Sequence, residues 1–339
     1  MPPAFLSRYN SCLISHLVSI MELHSLLSLL ADGQYHSGSD LGVRLGVSRT
    51  AVWKVINNLS DIHIDVLSVK GKGYCIEGGL DLLSADGIYE FLPLALKKLC
   101  DLHLLLAVDS TNTWVMDNRK VSKPYTFCLA ELQKEGKGRR GRQWVSPFGK
   151  NICLSVGFDL PGGVEVLSGL SLVIGISVIR ALNMLGVSSA KLKWPNDILI
   201  DGQKVAGILV ELQGEATTGW RVTAGIGLNV AMNRSEGEGI DQPWVSLSKY
   251  VDFSRDFIAS ALIESVVNVL EVYRREGFSV FVEEWQSSDL LRGKYVQISA
   301  SEIAGIALGV DASGALLLDT ENGVKSVNAG EVSIQKNDT

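Results

Sequence analysis

Hydrophobic positions along the chain recur with two periods. Leu23, Leu26, Leu27, Leu29 and Leu30 follow the helical one, so residues 22–31 predict a helix that Asp32-Gly33 ends. Ser39 is placed to cap a short helix carrying Leu41 and Leu45, and Gly46 to make a turn. Ser48 caps a second helix over residues 49–59, with Ala51, Val52, Val55, Ile56 and Leu59 on its inner face. Two helices joined by a tight glycine turn make a helix-turn-helix. Residues 62–69 and 74–76 read as strands on either side of Lys70-Gly71-Lys72-Gly73, a basic hairpin wing.

Gly78-Gly79 and residues 81–84 form a linker, and Ser84 caps a helix predicted to run through Leu99. Strands are predicted over residues 102–108, 126–132, 151–158, 190–194 and 221–230. The long apolar run 167–185 is a helix. Asp201-Gly202 is the preferred turn of a hairpin within residues 198–208, which would bring Lys204 near Asp197 on one sheet face. Residues 235–243 are polar and read as a mobile loop; residues 257–275 and 279–288 are amphipathic helices. From Lys294 onward short strands alternate with turns such as Asn322-Gly323, the pattern of a small β-barrel. The whole predicts an α+β multidomain chain: a winged helix-turn-helix, a central mixed α/β sheet and a carboxy-terminal β-barrel.

Composition narrows the chemistry. At 339 residues the chain is long enough for two or three domains, and a net charge of −6 argues against an extended nucleic-acid coat. Five cysteines without CxxC spacing point to free thiols in a reducing compartment and no zinc cluster. The five scattered histidines argue against a zinc hydrolase or a Ser-His-Asp enzyme. No apolar run reaches the roughly 18 residues of a membrane span. Residues 1–20 read as an extension rather than a signal peptide, with Met21 a candidate true start. A cytoplasmic protein is expected.

The candidate chemistry centres on residues 133–144, Gln-Lys-Glu-Gly-Lys-Gly-Arg-Arg-Gly-Arg-Gln-Trp. Four cations and three glycines fall between Gly136 and Arg142. Glycines let backbone N–H groups approach an anion closely, and guanidinium forks match phosphate or carboxylate oxygens. Gly136, Gly138 and Gly141 satisfy GxGxxG, yet Pro147 and Gly149 forbid the helix a dinucleotide fingerprint requires. A solvated basic loop would need neither the interleaved glycines nor Trp144. Asp109-Ser110-Thr111-Asn112, after a strand, either caps the helix 113–118 or hydrogen-bonds a neutral polar group.

A further stretch, Lys193-Trp194-Pro195-Asn196-Asp197 followed by Lys204-Val205-Ala206-Gly207, completes a set of three. In this order the three blocks resemble those of the biotin–protein ligases, over nearly the whole chain from about Met21, and most closely the bifunctional type that also represses biotin genes. The resemblance implies a catalytic domain like those of class II synthetases and biotin/lipoate ligases, and an SH3-like final domain. The divisions would be 1–20 extension, 21–83 winged helix-turn-helix, 84–290 catalytic domain and 291–339 SH3-like domain. It implies ATP with Mg²⁺ as substrate complex, biotin as substrate and no tightly bound protein-ligated metal. The reaction would be formation of biotinyl-5′-AMP and transfer of biotin to a lysine of the biotin carboxyl carrier protein of acetyl-CoA carboxylase.

Carried over by position, Ser110, Thr111, Asn112, Gln133, Lys137, Gly138, Arg139 and Lys204 should line the biotin and adenylate site. Gly136, Trp144, Gly207, Gly225, Asn229 and Trp244 are second-choice contacts, the two tryptophans being equally readable as core. Lys204, Arg139 and Asp197 are the catalytic candidates: cations must screen a carboxylate approaching an α-phosphate, and Asp197 would help through the metal or by orienting Lys204. Lys137 stands where the family has arginine, keeping the charge and losing the fork. For operator DNA of biotin genes, residues 44–72 hold five cations against two acids. Arg49, Thr50 and Trp53 are candidate readers and Lys54, Lys70 and Lys72 candidate phosphate contacts, Trp53 being also readable as core. A homodimer in the adenylate-bound state and no membrane partner are expected. The alternatives are a ligase whose winged helix does not bind DNA, a sensor-only transcriptional regulator, and a lipoate or octanoate ligase.

Overall fold

The structure is a computed structural model that describes residues 23–62, 64–118, 122–215, 217, 219–299 and 301–334. The expectation for residues 1–20 lies outside these. The chain divides into two compact units, Met1–Leu82 and Leu83–Thr339.

In the first unit, residues 23–30 are helical (α1). Helix α2 spans Gly38–Leu45 and α3 spans Arg49–Asn58. The cap of α2 is Ser37 and not Ser39: the Ser37 hydroxyl accepts the N–H of Asp40, which places Ser39 inside the first turn. Ser48 caps α3 as expected, accepting the N–H of Ala51. Gly46 turns between the helices at φ 69°, a left-handed angle that a glycine adopts without strain. Leu26, Leu27, Leu30, Leu41, Val52, Ile56 and Leu59 close the core. Strands β1 (Leu67–Val69) and β2 (Gly73–Cys75) pair antiparallel as the wing. The first is shorter than predicted: a 3-10 turn takes Leu59–Ile62, and residues 64–66 lie outside any strand.

The second unit opens with α4 (Ala85–Phe91), capped by Ser84, and α5 (Leu94–Leu99). A single helix to Leu99 does not form. Pro93 lacks an N–H and its ring disfavours helical angles at Leu92, which is extended at ψ 136°. Seven strands follow: β3 (Cys100–Val108), β4 (Tyr125–Gln133), β5 (Ile152–Leu160), β6 (Lys191–Lys193), β7 (Asp197–Ile200), β8 (Gln203–Glu215) and β9 (Gly219–Leu228). Their order in the sheet is β3-β4-β5-β9-β8-β7-β6, with only β3 and β4 parallel. Helix α6 (Thr111–Asn118) lies on one face, its Thr111 and Asn112 bonded to Ser155 of β5.

Helices α7 (Leu170–Met184) and α8 (Arg255–Glu276) pack together on the sheet. With the 3-10 turn before it, α7 belongs to a 21-residue helical stretch, Val164–Met184, which holds an 18-residue window of mean hydropathy 1.8. By length and composition that stretch could cross a membrane, so the expectation of no such run is corrected. Its apolar character has a core explanation: Leu172, Val173, Ile176, Val178 and Leu182 are buried. Burying one such side chain stabilises the fold by about 1.5–3 kcal/mol.

After the short helix α9 (Val282–Ser287) come β10 (Tyr295–Ile298), β11 (Ala304–Val310), β12 (Leu316–Thr320), β13 (Gly323–Val327) and β14 (Val332–Ile334). They form a five-stranded antiparallel sheet in the order β13-β12-β11-β10-β14. Trp194 ties it to the central sheet by donating Nε1–H to the Gly314 carbonyl at 3.1 Å.

Candidate functional site

A cavity of about 300 Å³ opens between α6, the sheet, the basic loop and the edge of the carboxy-terminal sheet. Its deep end is neutral and polar. Ser110, Thr111 and Asn112 are buried at the start of α6. Gln133 Oε1 accepts both the N–H of Thr111 at 2.9 Å and its hydroxyl at 3.0 Å. The Ser155 hydroxyl lies 2.6 Å from Asn112 Oδ1, while Asn112 Nδ2 donates to Glu211 at 2.7 Å. Gly225 makes room: a Cβ there would stand 2.4 Å from Asn112 Oδ1. Helix capping alone does not describe this stretch, because the Thr111 and Asn112 side chains are bonded to β4, β5 and β8. Cys153 also lines the cavity, and burial pushes its thiol up to about 11, so it is neutral at pH 7.

The other end is cationic. The basic loop folds back on itself, with Trp144 N–H donating to the Gly136 carbonyl at 2.8 Å and Gly138 N–H to the Arg142 carbonyl at 2.6 Å. A 3-10 turn covers Arg139–Gly141, and no helix follows, so the GxGxxG match is not a dinucleotide fold. The left-handed residues are Arg140 (φ 57°) and Gly141 (φ 74°). Gly136 serves a different need: a Cβ on it would meet the Trp144 carbonyl at 2.5 Å.

Arg139 donates to Asn196 Oδ1 at 3.0 Å and to the Gly330 carbonyl at 3.3 Å, and its partial burial lowers its pKa. Arg142 pairs with Glu331, and Lys137 reaches Thr113 Oγ1 at 2.9 Å. Lys204 Nζ sits 2.7 Å from Asp197 Oδ1 and 5.6 Å from the centre of the Trp144 ring. The Asp201-Gly202 turn at φ 51° and 73° delivers this pair as the hairpin predicted. Gly207 and Gly227 form the bed of the indole, since a Cβ on Gly227 would stand 2.3 Å from Trp144 Cε2. Trp144 Nε1 is buried without a partner among the described residues.

Of the residues proposed from sequence, Ser110, Thr111, Asn112, Gln133, Lys137, Gly138, Arg139, Trp144, Asp197, Lys204, Gly207 and Gly225 line this one cavity. Gly136, Asn229 and Trp244 do not. They stand behind it: Asn229 Nδ2 donates to the Lys204 carbonyl at 3.4 Å, and Trp244 forms a backbone bridge with Lys204. Sequence reasoning missed Lys193, Cys153, Ser299, Glu331 and Ser333 of the lining, and Ser155, which bonds Thr111 and Asn112 without lining the cavity. Ser155 left a signal, a lone hydroxyl within an apolar strand. Glu331 left none, because it reaches the loop from a sheet about 190 residues further along the chain.

On the first unit, Arg49, Thr50, Trp53 and Lys54 are exposed along α3, and Lys70 and Lys72 are exposed on the wing. Trp53 is 51% exposed, which removes its reading as core. Lys72 Nζ stands 5.5 Å over the Tyr35 ring.

Comparison with known proteins agrees with this layout. Residues 105–229 match the Biotin/lipoate A/B protein ligase family, residues 22–75 an HTH domain and residues 294–334 the Biotin protein ligase C terminal domain. The chain is 40% identical to the Bifunctional ligase/repressor BirA of Salmonella typhimurium, over 92% of this chain and 97% of that protein. It is 38% identical to the protein of the same name from Escherichia coli, over 91% and 96%. The solved biotin protein ligase from Aquifex aeolicus, in complex with biotin and ATP, superposes with a TM-score of 0.60 at 29% identity. That match covers 70% of this chain and 99% of that one. The chain therefore belongs to the biotin–protein ligases, in the form that carries an amino-terminal helix-turn-helix.

Proposed function

We propose that the protein activates biotin with ATP to biotinyl-5′-AMP and passes the biotinyl group to a lysine of the biotin carboxyl carrier protein of acetyl-CoA carboxylase. The observation that carries this is one cavity with two ends of different chemistry, neutral hydrogen-bonding groups at one and fixed cations at the other. The ureido head of biotin is neutral and needs donors and acceptors, which Ser110, Thr111, Asn112 and Gln133 supply. Two anions must meet at the other end. A biotin carboxylate oxygen attacks the α-phosphorus, the bond from that phosphorus to the bridging oxygen breaks, and pyrophosphate leaves. Lys204 and Arg139 stabilise the charge that gathers there, with Lys137 and Gly138 of the loop beside them.

Asp197 orients Lys204 through the 2.7 Å ion pair. Mg²⁺ would arrive on the nucleotide phosphates: the two carboxylates lining the cavity, Asp197 and Glu331, are each engaged by a cation, and single carboxylates suit a phosphate-borne Mg²⁺. In the second half-reaction the acceptor amine attacks the anhydride carbonyl, the amide bond forms, AMP leaves and the amine gives up its proton. Trp144, Gly207 and Gly225 shape the wall against the adenylate, while Gly136, Asn229 and Trp244 support it from behind. Purified protein with biotin, MgATP and an acceptor carrier domain should add the mass of one biotinyl group to that domain, and omission of ATP should prevent it.

The first unit binds operator DNA of biotin genes, with Arg49, Thr50 and Trp53 at base edges and Lys54, Lys70 and Lys72 on phosphates. The support is an exposed recognition helix with a basic wing. A two-fold homodimer favoured by biotinyl-AMP would match a palindromic site. Sedimentation with and without the adenylate tests this, and equal dimer fractions would count against it.

A further inference from the structure

At the root of the basic loop lies a buried ion pair that does not line the cavity. Arg255, the first residue of α8, donates Nη1–H to Glu131 Oε2 at 2.6 Å and Nη2–H to the Asn151 carbonyl at 2.6 Å. The side chains of Arg255 and Glu131 are 1% and 2% exposed. The remaining Glu131 oxygen accepts the N–H of Leu83 at 2.6 Å. A buried ion pair is weak support for stability, since an apolar pair of similar volume often does as well. What this one touches is more telling.

Glu131 lies two residues before Gln133, where β4 gives way to the basic loop. Asn151 is the residue before β5, where that loop ends. One guanidinium thus grips both stems of residues 134–150. Asn151 extends the grip, accepting the N–H of Val230 at 3.1 Å and donating to the Val145 carbonyl at 3.4 Å. Gly149 N–H donates to the Glu131 carbonyl at 3.2 Å. Ser146 joins the stems too, its hydroxyl accepting the N–H of Gln133 at 3.1 Å and donating to the Gln133 carbonyl at 3.3 Å, while the ladder between β4 and β5 stops at Ala130 and Cys153. Arg255 adds a charged clamp just beyond the last strand pair, between Glu131 and Asn151.

We infer that Arg255 is a positioning residue for the ligase reaction, holding the two stems of the basic loop in register through Glu131 and the Asn151 carbonyl. A planar fork suits the task, because its two amino groups serve acceptors on two strands at once. A lysine ammonium is a single point and keeps the charge without the span. The role concerns how the loop meets nucleotide, so its loss falls on ATP binding and on retention of the intermediate, more than on the chemical step.

This rests on the adenylation proposed above, so the experiment has one arm that does not need activity. Full-length wild type, Arg255→Lys and the apolar pair Glu131→Met/Arg255→Met are compared, the last guarding against misfolding from a lone buried charge. In ligand-free protein, hydrogen exchange over residues 134–150 should quicken in both variants, with α7 and β9 unchanged. In biotin-dependent pyrophosphate exchange, both should raise KM for ATP by about tenfold with kcat within about threefold. Unchanged loop exchange in a folded Arg255→Lys protein would overturn the inference whatever the enzyme does. Wild-type loop exchange and KM in the apolar pair would overturn it too, by showing that only neutralisation mattered. A wild type without biotin-dependent activity would defeat the adenylation reading alone, leaving the hydrogen-exchange arm to decide Arg255.

Discussion

Two groups of cations differ in how they are held. On the winged helix, Arg49, Lys54, Lys70 and Lys72 are exposed, and none of them is in an ion pair among the described residues. In the cavity, Lys204 is tied to Asp197, Arg142 to Glu331 and Arg139 to Asn196. Exposed cations act through a field that meets a regular polyanion such as DNA and that salt screens. Tethered cations act by position, at one point where charge develops during a reaction. Binding to a long anion tolerates loose lysines, whereas catalysis at one phosphorus needs fixed ones.

The sharpest break of this comparison is at Lys204. Lys204→Ala should lower biotin-dependent pyrophosphate exchange about 10³-fold with the fold kept, because a fixed charge leaves the reacting centre. Circular dichroism and exchange assays on the same preparation check this. The same protein should shift operator DNA at wild-type affinity when measured without the adenylate. Next in size is the wing. Lys70→Ala with Lys72→Ala should leave exchange activity intact and reduce the slope of log affinity against log salt by about 2, one counterion for each lysine. An unchanged slope would place the DNA contacts elsewhere or remove them.

A smaller effect sharpens the meaning of a tethered cation. Lys137→Arg restores a fork where Lys137 now makes one contact to Thr113, and release of biotinyl-AMP should slow about fivefold. Stopped-flow tryptophan fluorescence reads that rate, and an equal or faster release would contradict the role.

Outside both groups of cations, one carboxyl bears on stability alone. Asp289, between the two sheets of the second unit, has its pKa raised to about 6 by burial, and its Oδ2 has no partner among the described residues. A carboxyl raised above its unfolded value binds its proton more tightly in the fold. Stability therefore falls as pH rises from about 4 to about 6. The cost, roughly 2–3 kcal/mol, is fully present above that window and absent below it. Asp289→Asn should flatten this part of the curve of melting temperature against pH, which thermal scans across the window would read.

The same contrast explains what could be read from the chain. Local signals were legible: Ser48 as a cap, Gly46 as a turn, Asp201-Gly202 as a hairpin that brings Lys204 to Asp197. Of the proposed residues that line the cavity, eleven lie in the three motif blocks and Gly225 lies in β9. Competition between neighbours misled at Ser37 and Ser39, two serines equally able to cap, and a helix was drawn through Pro93. The glycines of the basic loop are legible as necessary, though not each for its own reason: Gly141 takes a left-handed angle beside Arg140, whereas Gly136 yields to the Trp144 carbonyl. Glu331 and the Arg255–Glu131 pair were out of reach, because hydrophobic period and motif spacing carry no signal for contacts between residues a hundred or more positions apart.

On the proposed reading, the tethered cations and the neutral pocket together activate biotin. Pyrophosphate exchange into ATP by the purified full-length protein, with biotin or lipoate as the added acid, tests it most directly. Exchange with biotin and none with lipoate is the expected result. Exchange with lipoate alone, or none with either acid in a folded protein that still binds biotin, would contradict it.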